Sequence, residues 1–170
     1  KHSGESVALS SDGSIVAIGV GSTVYGSSGT KDKGTINGHV RIYQLINNSQ
    51  YQNQWVQVGS DIEEEKDSVF SEIAVSLSSD GSVVASGTTS TDRYGSSTSG
   101  HVRIFKNKDG KWVQLGNDID GEAADDASGS SVNLSSDGSV VAIGAPENHG
   151  NGSTSGHVRI FKNKDGKWVQ

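Results

Sequence analysis

Short apolar segments separated by polar turns run through the chain, and the same order of segments occurs three times. Each copy starts with two apolar segments joined by a Ser-Ser-Asp-Gly-Ser turn, and Asp-Gly between apolar segments is a strong hairpin signal because glycine accepts positive φ. We predict the first segment as strand A, at Val7–Ser10, Val75–Ser78 and Val132–Ser135. The second is continuously apolar, which predicts a strand B covered on both faces, at Ile15–Gly19, Val83–Gly87 and Val140–Gly144.

Two further segments complete each copy. Gly-His-Val-Arg-Ile followed by an aromatic residue alternates with a period of two and predicts strand C. An Asp-Gly turn then leads to strand D with its Trp-Val-Gln in the second and third copies, whereas residues 46–54 form a longer connection in the first. The segment Ser97–Gln114 recurs letter for letter as Ser153–Gln170.

Four short antiparallel strands repeated in tandem are the pattern of β-propeller blades. We therefore predict an all-β fold with blade 1 at residues 1–67, blade 2 at 68–126 and blade 3 at 127–170, the first two ending in acidic connectors. A β-solenoid would need less chain per repeat, and a β-sandwich would not need such exact repetition. Three blades do not close an ordinary propeller, so we expect this segment to belong to a larger repetitive assembly, in a longer protein or as copies forming a ring or filament.

Four features of the third copy form one motif. They are Ser128–Val132, the turn Asp137-Gly138, Ala142–Pro146, and Gly156–Phe161. In order and spacing they resemble the FG-GAP repeat of integrin α-subunit propellers. The sequence also resembles repeats in surface and secreted proteins of marine microbes and algae. The resemblance implies a propeller of about seven blades in an adhesion or scaffold protein.

The turns depart from that family at one point. The family's turn often carries several Asp and Asn ligands for calcium, but each turn here holds a single carboxylate, from Asp12, Asp80 or Asp137. Calcium takes six to eight oxygen ligands. We therefore do not expect family-type calcium binding at these turns.

Composition narrows the class of protein. Hydrophobic residues make up 31% of the chain and 23 residues are glycine, which is too polar for a helical bundle and fits an all-β fold with long loops. Disorder is the competing interpretation of this polarity, and the regular apolar segments argue against it. The net charge of −6 with no basic stripe makes nucleic acid an unexpected partner, and the lack of a long apolar run predicts no membrane insertion.

Cysteine is absent, which excludes disulfides, thiolate catalysis and cysteine zinc sites. The acidic, Ser/Gly-rich composition predicts an extracellular or cell-surface protein. Three glycosylation sequons support this expectation, at Asn47, Asn133 and Asn151. Asn133 falls in a predicted strand, so we expect glycans at Asn47 and Asn151.

Histidine and tryptophan recur at equivalent positions of the three copies. The histidines are His39, His101 and His157, and the tryptophans are Trp55, Trp112 and Trp168. Three histidines can bind zinc, but repetition places them in different blades, so we expect them, and the neighbouring arginines, to make local or inter-blade contacts. The tryptophans are predicted as apolar anchors rather than sugar-stacking platforms.

The variable loops and acidic connectors are the remaining candidates. Loops between strands B and C hold candidate contact residues for a protein or carbohydrate partner, namely Tyr25, Tyr94, Asn148 and His149. In one connector, Asp118, Asp120 and Glu122 alternate and form a candidate Ca²⁺ site. The alternative is a solvated charged loop.

Almost every polar residue has a counterpart in another copy, whereas catalytic residues are normally unique. We therefore expect no enzyme activity. The sequence predicts a non-catalytic extracellular propeller module for structural scaffolding or adhesion, which binds other protein subunits or copies of itself through open blade edges. The alternative is a lectin-like, glycan-binding propeller.

Overall fold

The computed structural model describes residues 2–25, 34–36, 38–50, 52–64, 70–91, 98–150, 152–153 and 155–170. All regular structure in these residues is β-strand, which confirms the prediction of an all-β fold. In these ranges no helix has the length and apolar character needed to span a membrane. Two predicted site residues, Tyr94 and Asn151, lie outside the described residues.

The strands form three antiparallel units in chain order. Unit 1 holds β1 (His2–Leu9), β2 (Ile15–Tyr25), β3 (Gly34–Ile36), β4 (His39–Ile46), β5 (Gln54–Gln57) and β6 (Ile62–Glu63). Unit 2 holds β7 (Phe70–Leu77), β8 (Val83–Thr91), β9 (His101–Lys108), β10 (Lys111–Gln114) and β11 (Ile119–Asp120). Unit 3 holds β12 (Ser131–Leu134), β13 (Val140–Ala145), β14 (His157–Lys164) and β15 (Lys167–Val169).

Each unit has the predicted strand order A-B-C-D. In unit 3 the order is β12-β13-β14-β15 with all neighbours antiparallel. In units 1 and 2, β6 and β11 extend strand D past a glycine and pair with strand C again. The three units lie in series, and within the described residues their sheets do not close into a ring.

Strand B is longer than predicted in units 1 and 2. β2 runs to Tyr25 and its far end pairs with the start of β7, with Ser22 opposite Ser71, so units 1 and 2 share one hydrogen-bonded sheet. The expectation that Tyr25 lies in a loop was therefore wrong, because it is the last residue of β2 and its backbone pairs with Gly34 of β3. Backbone pairing forms this extension in a stretch whose Gly, Ser and Thr content had indicated a loop.

In each Ser-Ser-Asp-Gly-Ser turn the single carboxylate accepts hydrogen bonds from its own turn. Asp12 Oδ1 accepts hydrogen bonds from the Ser10 hydroxyl at 2.7 Å and the Ser14 amide at 2.9 Å, while Gly13 takes a φ of 71°. These bonds, first that from Ser10 and then that from the Ser14 amide, lower the pKa of Asp12 to about 2. The carboxylate thus closes the turn from within, and Asp80 and Asp137 do the same.

The core lies between the units. We call the surface of a unit that packs on the preceding unit its front face, and the surface that packs on the following unit its back face. Between units 1 and 2, the back face contributes Ala17, Val40 and Ile42 and the front face contributes Leu77, Val84 and Phe105. Between units 2 and 3, the same positions supply Ala85, Val102 and Ile104 against Leu134, Val141 and Phe161.

Candidate functional site

Exposed apolar side chains concentrate at the two ends of the series. The large hydrophobic residues exposed in the described part of the chain fall into two groups. One group, Val56, Val113 and Val169, occupies the same position on strand D of each unit and is exposed in all three. The other group lies on the front face of unit 1, which we call the front end, and on the back face of unit 3, which we call the rear end. These residues are Val7, Leu9 and Trp55 at the front end and Val158 and Ile160 at the rear end.

The repeated segment isolates the cause of this exposure. Val102 and Ile104 on the back face of unit 2 are both 0% exposed, whereas Val158 and Ile160 at the same positions of unit 3 are 64% and 59% exposed. The surrounding 18 residues are identical in the two copies. The difference therefore comes from the following unit, which covers unit 2 and has no counterpart on unit 3 in the described residues.

The front end shows the same contrast. Val75 and Leu77 of unit 2 are each 9% exposed, because they pack on unit 1. Their counterparts Val7 and Leu9 are 63% and 61% exposed. Both ends thus present surfaces that, inside the series, are covered by another unit.

The tryptophans reach from one unit to the unit before it. The Trp112 indole N–H donates to the Val58 carbonyl at 2.8 Å, and that of Trp168 donates to the Leu115 carbonyl at 2.7 Å. Each ring lies against a glycine with positive φ, at Gly59 and Gly116, where a Cβ would come within 3.0 and 2.9 Å of the indole. Trp55 belongs to unit 1 and remains 46% exposed.

The Ser-Ser-Asp-Gly-Ser turns are joined by backbone hydrogen bonds, which we call the turn ladder. The Ser11 amide donates to the Ser79 carbonyl at 2.8 Å, and the Ser79 amide donates to the Ser136 carbonyl at 2.9 Å. Every donor lies one unit before its acceptor. The ladder therefore has a direction along the series.

A buried ionic cluster crosses the interface between units 1 and 2. Glu64 is 3% exposed and lies 2.8 Å from the Arg103 guanidinium and 3.4 Å from Nε2 of His101. The Ser86 hydroxyl donates to its other oxygen at 3.1 Å, and Arg103 also donates to the Glu63 carbonyl. Such a cluster ties two units together because a buried carboxylate requires these partners.

The partners shift the pKa values of this cluster in opposite directions. Burial raises the pKa of Glu64, but hydrogen bonding with His101 and the charge and hydrogen bonds of Arg103 outweigh it, so that its pKa lies below the ordinary value. Hydrogen bonding with Glu64 raises the pKa of His101 against the effect of its burial, and the Glu64 charge adds to the rise. Both shifts favour the charged pair.

The other histidines and arginines make related contacts. In unit 3, Arg159 donates to the Asp120 carbonyl and His157 lies 3.1 Å from Glu122, so both reach the connector of unit 2. In unit 1, Arg41 instead pairs with Asp61 of its own unit at 2.9 Å, and Nε2 of His39 lies 3.7 Å from the same carboxylate.

The predicted calcium residues have separate partners. Asp118 accepts a hydrogen bond from Gln114, the Asp120 carbonyl accepts from Arg159, and the Glu122 carboxylate faces His157. In the ranges that the structure describes, no group of three or more His, Asp or Glu side chains could hold a metal ion.

Two predicted loop residues differ in exposure. Asn148 is 5% exposed and its amide donates to Asp126 at 2.9 Å, while its carbonyl oxygen accepts from the Gly150 amide. It therefore holds the loop to the connector instead of facing a partner, contrary to its placement among surface contacts. His149 is exposed.

The sequons also differ in setting. Asn47 is exposed and follows β4 directly, whereas Asn133 lies within β12.

A cleft of about 570 Å³ lies between units 2 and 3. Its lining includes two aromatic and several charged side chains, among them Trp168, Phe161, Asp118, Asp120, Arg159 and Lys167. Two of the predicted calcium residues and one predicted anchor thus share this cleft.

The ionic cluster was not found from the sequence, although a signal was present. Glu64 stands where the next connector has Gly121, and Ser86 stands where the other units have Ile18 and Ile143. The two exceptions to the repeat contact each other. Paired departures from an internal repeat would have indicated a contact between them.

Comparisons with known proteins bear on the fold alone. No protein-family model matches the chain, and no curated protein does. A solved structure of hydrazine synthase from Kuenenia stuttgartiensis is similar with a TM-score of 0.51 and 16% identity, covering 92% of this chain. The chain spans 39% of that chain's length. At this identity the likeness concerns the fold alone, and it agrees with an all-β, sheet-rich class of protein.

Proposed function

We propose that the chain is a non-catalytic structural repeat module that forms part of a scaffold by binding protein through its two ends. The observation that carries this proposal is the contrast in exposure between identical positions, 0% for Ile104 and 59% for Ile160. The ends retain the side chains of an interior interface, and contiguous exposed apolar surface of this kind marks a site of association. The partners are other protein subunits or copies of the chain itself.

Within this proposal the three units are consecutive blades of a β-propeller. Their strand A segments β1, β7 and β12 lie side by side along the series, as the inner strands of blades do. A glycine also allows strand B of unit 2 to approach unit 3 closely, because a Cβ on Gly87 would lie 2.3 Å from the Gly129 carbonyl oxygen. The resemblance to FG-GAP repeats agrees with this arrangement and stays a prediction.

Sedimentation velocity tests the scaffold function. Burying four aliphatic side chains that are mostly exposed favours association by roughly 4–8 kcal/mol before the entropic cost of binding. We expect the mass of the wild-type chain to rise with concentration and the variant Val158→Asp to stay monomeric. Val113→Asp is the matched control, since Val113 is 41% exposed on strand D and not at an end. A wild-type chain that stays monomeric at every concentration excludes copies of the chain as the partner, and a Val158→Asp variant that associates as the wild-type chain does contradicts the proposal.

We also place the module outside the cell, in a surface or adhesion assembly. This part rests on the acidic, Ser/Gly-rich composition and the exposed sequon at Asn47. Secretion from eukaryotic cells followed by glycosidase treatment tests it, with Asn47→Gln as the control. An unchanged mass after treatment would argue against a glycan at Asn47.

The second candidate is glycan binding, and the cleft between units 2 and 3 favours it. Trp168 supplies an apolar ring beside carboxylates and an arginine, a combination suited to the faces and hydroxyl groups of sugars. A glycan array tests this candidate, and binding should fall with Asp118→Asn. An array without signal above background would exclude it.

A further inference from the structure

We propose that the front end of a second copy of this chain docks onto the rear end of the first, in the register that the two internal interfaces define. The inference rests on the proposed function, which requires only that the ends bind protein. It adds the identity of the partner, the polarity of the contact and its register. Three independent features of the ends support it.

The first feature is the match of apolar residues. At both internal interfaces a Val-Ile pair on strand C of one unit packs with a leucine on strand A of the next, as Val102 and Ile104 do with Leu134. The rear end presents the same pair as Val158 and Ile160, and the front end presents the same leucine position as Leu9. The two ends therefore carry the two halves of an interface that the chain already forms twice.

The second feature is the direction of the turn ladder. Ser136 at the rear end is exposed, and its amide donates no hydrogen bond within the described ranges. Ser11 at the front end is also exposed, and its carbonyl accepts none there. Since each ladder donor lies one unit before its acceptor, a Ser136 amide facing the Ser11 carbonyl of a second copy continues the ladder. Two like ends would bring donor to donor or acceptor to acceptor.

The third feature is the space around one glycine. A Cβ on Gly81 would lie 2.6 Å from the Ile15 side chain of the preceding unit, and a Cβ on Gly138 would lie 2.8 Å from that of Val83. Gly13 is the front-end counterpart, and nothing lies within 4 Å of its Cβ position. In the proposed register this position meets Val140 of the first copy.

Mixing two variants tests polarity. Leu9→Glu alters only the front end and Ile160→Glu only the rear end, so each alone should stay monomeric in sedimentation velocity. Mixed, they should form a complex of one chain of each, because the first keeps an intact rear end and the second an intact front end. If either variant alone associates like the wild-type chain, like ends pair and the polarity is wrong. If urea unfolding shows that Leu9→Glu does not fold, Val7→Glu replaces it.

Gly13→Asn tests the register. Asparagine tolerates positive φ, and the site is open in the single chain, so folding should be retained. We expect the variant to weaken self-association about tenfold or more, as overpacking a close contact does. Gly110→Asn is the matched control, because Gly110 also has positive φ and open space. Gly13→Asn chains that associate as tightly as the control overturn the register.

These outcomes separate the two proposals. A wild-type chain that never associates removes this inference alone, because the proposed function also admits other protein subunits. A Val158→Asp chain that associates as the wild-type chain does removes both. A chain that associates, but whose two variants fail to combine or whose Gly13 variant associates normally, removes only the inference.

Discussion

Identical residues with different surroundings allow the packing argument to be tested within one molecule. Ile104 and Ile160 lie in the same 18-residue sequence, on strands β9 and β14, and are 0% and 59% exposed. Replacing a buried isoleucine by alanine costs about 2–5 kcal/mol, so Ile104→Ala should lower the free energy of unfolding by about 3 kcal/mol. The same change at Ile160 removes atoms that are already mostly in water, and we expect it to cost under about 1 kcal/mol.

Urea unfolding followed by tryptophan fluorescence measures both variants, at concentrations where the chain sediments as a monomer. In thermal unfolding, the Ile104 variant should melt roughly 6–12 °C below the wild-type chain and the Ile160 variant within a few degrees of it. Equal losses at the two positions would refute the conclusion that the following unit buries unit 2. A larger loss at Ile160 would refute it more strongly.

Three further predictions concern contacts between units. Trp112→Phe should lower the free energy of unfolding by about 1 kcal/mol through loss of its hydrogen bond to the Val58 carbonyl, whereas Trp55→Phe should have little effect in the same urea experiment. Gly87→Ala should destabilise by more than about 1 kcal/mol because its Cβ would overlap the next unit, and thermal unfolding would reveal it. Because the pKa of His101 is raised, the stability that it contributes is fully present below the ordinary histidine pKa of 6.5. Because the pKa of Glu64 is lowered, the stability that it contributes is fully present above the ordinary glutamate pKa of 4.5. The stability from this pair should therefore be greatest between pH 4.5 and 6.5. Urea unfolding should show this stability falling as the pH rises through the folded pKa of His101, and His101→Gln should remove that fall; a wild-type chain with no such fall would contradict the assignment.

The repeat made the order of the strands predictable from the sequence, but the departures from the repeat were not predictable. The Asp-Gly turns and the alternating strand C fixed three A-B-C-D units, since these signals are local. The extension of β2 to Tyr25 depends on backbone pairing, of Ser22 and Thr23 with β7 and of the last residues with β3. Backbone pairing leaves no pattern of side chains in the sequence. A polar composition had indicated a loop there.

The candidate site was predictable in kind but not in detail. The count of three units predicted that the two outer faces of the series are open. Which side chains line these faces depends on the side of the sheet to which each strand residue points. The burial of Asn148 depends on Asp126 in the preceding connector, and the ionic cluster depends on Glu64 meeting Arg103 across an interface. Such contacts between distant segments depend on how the units pack, which cannot be derived from a single sequence.

The pairing of β2 with β7 has a mechanical consequence. It joins units 1 and 2 into one sheet, whereas unit 3 forms a sheet of its own. A pulling force applied between the two ends of the chain must also break the two residue pairs of this ladder, Ser22 with Ser71 and Thr23 with Phe70, to part the first two units. In the described residues, side-chain packing and a few isolated hydrogen bonds hold the third. Unit 3 should therefore detach first and give a distinct intermediate, which makes this chain a stiff pair of units with a releasable third.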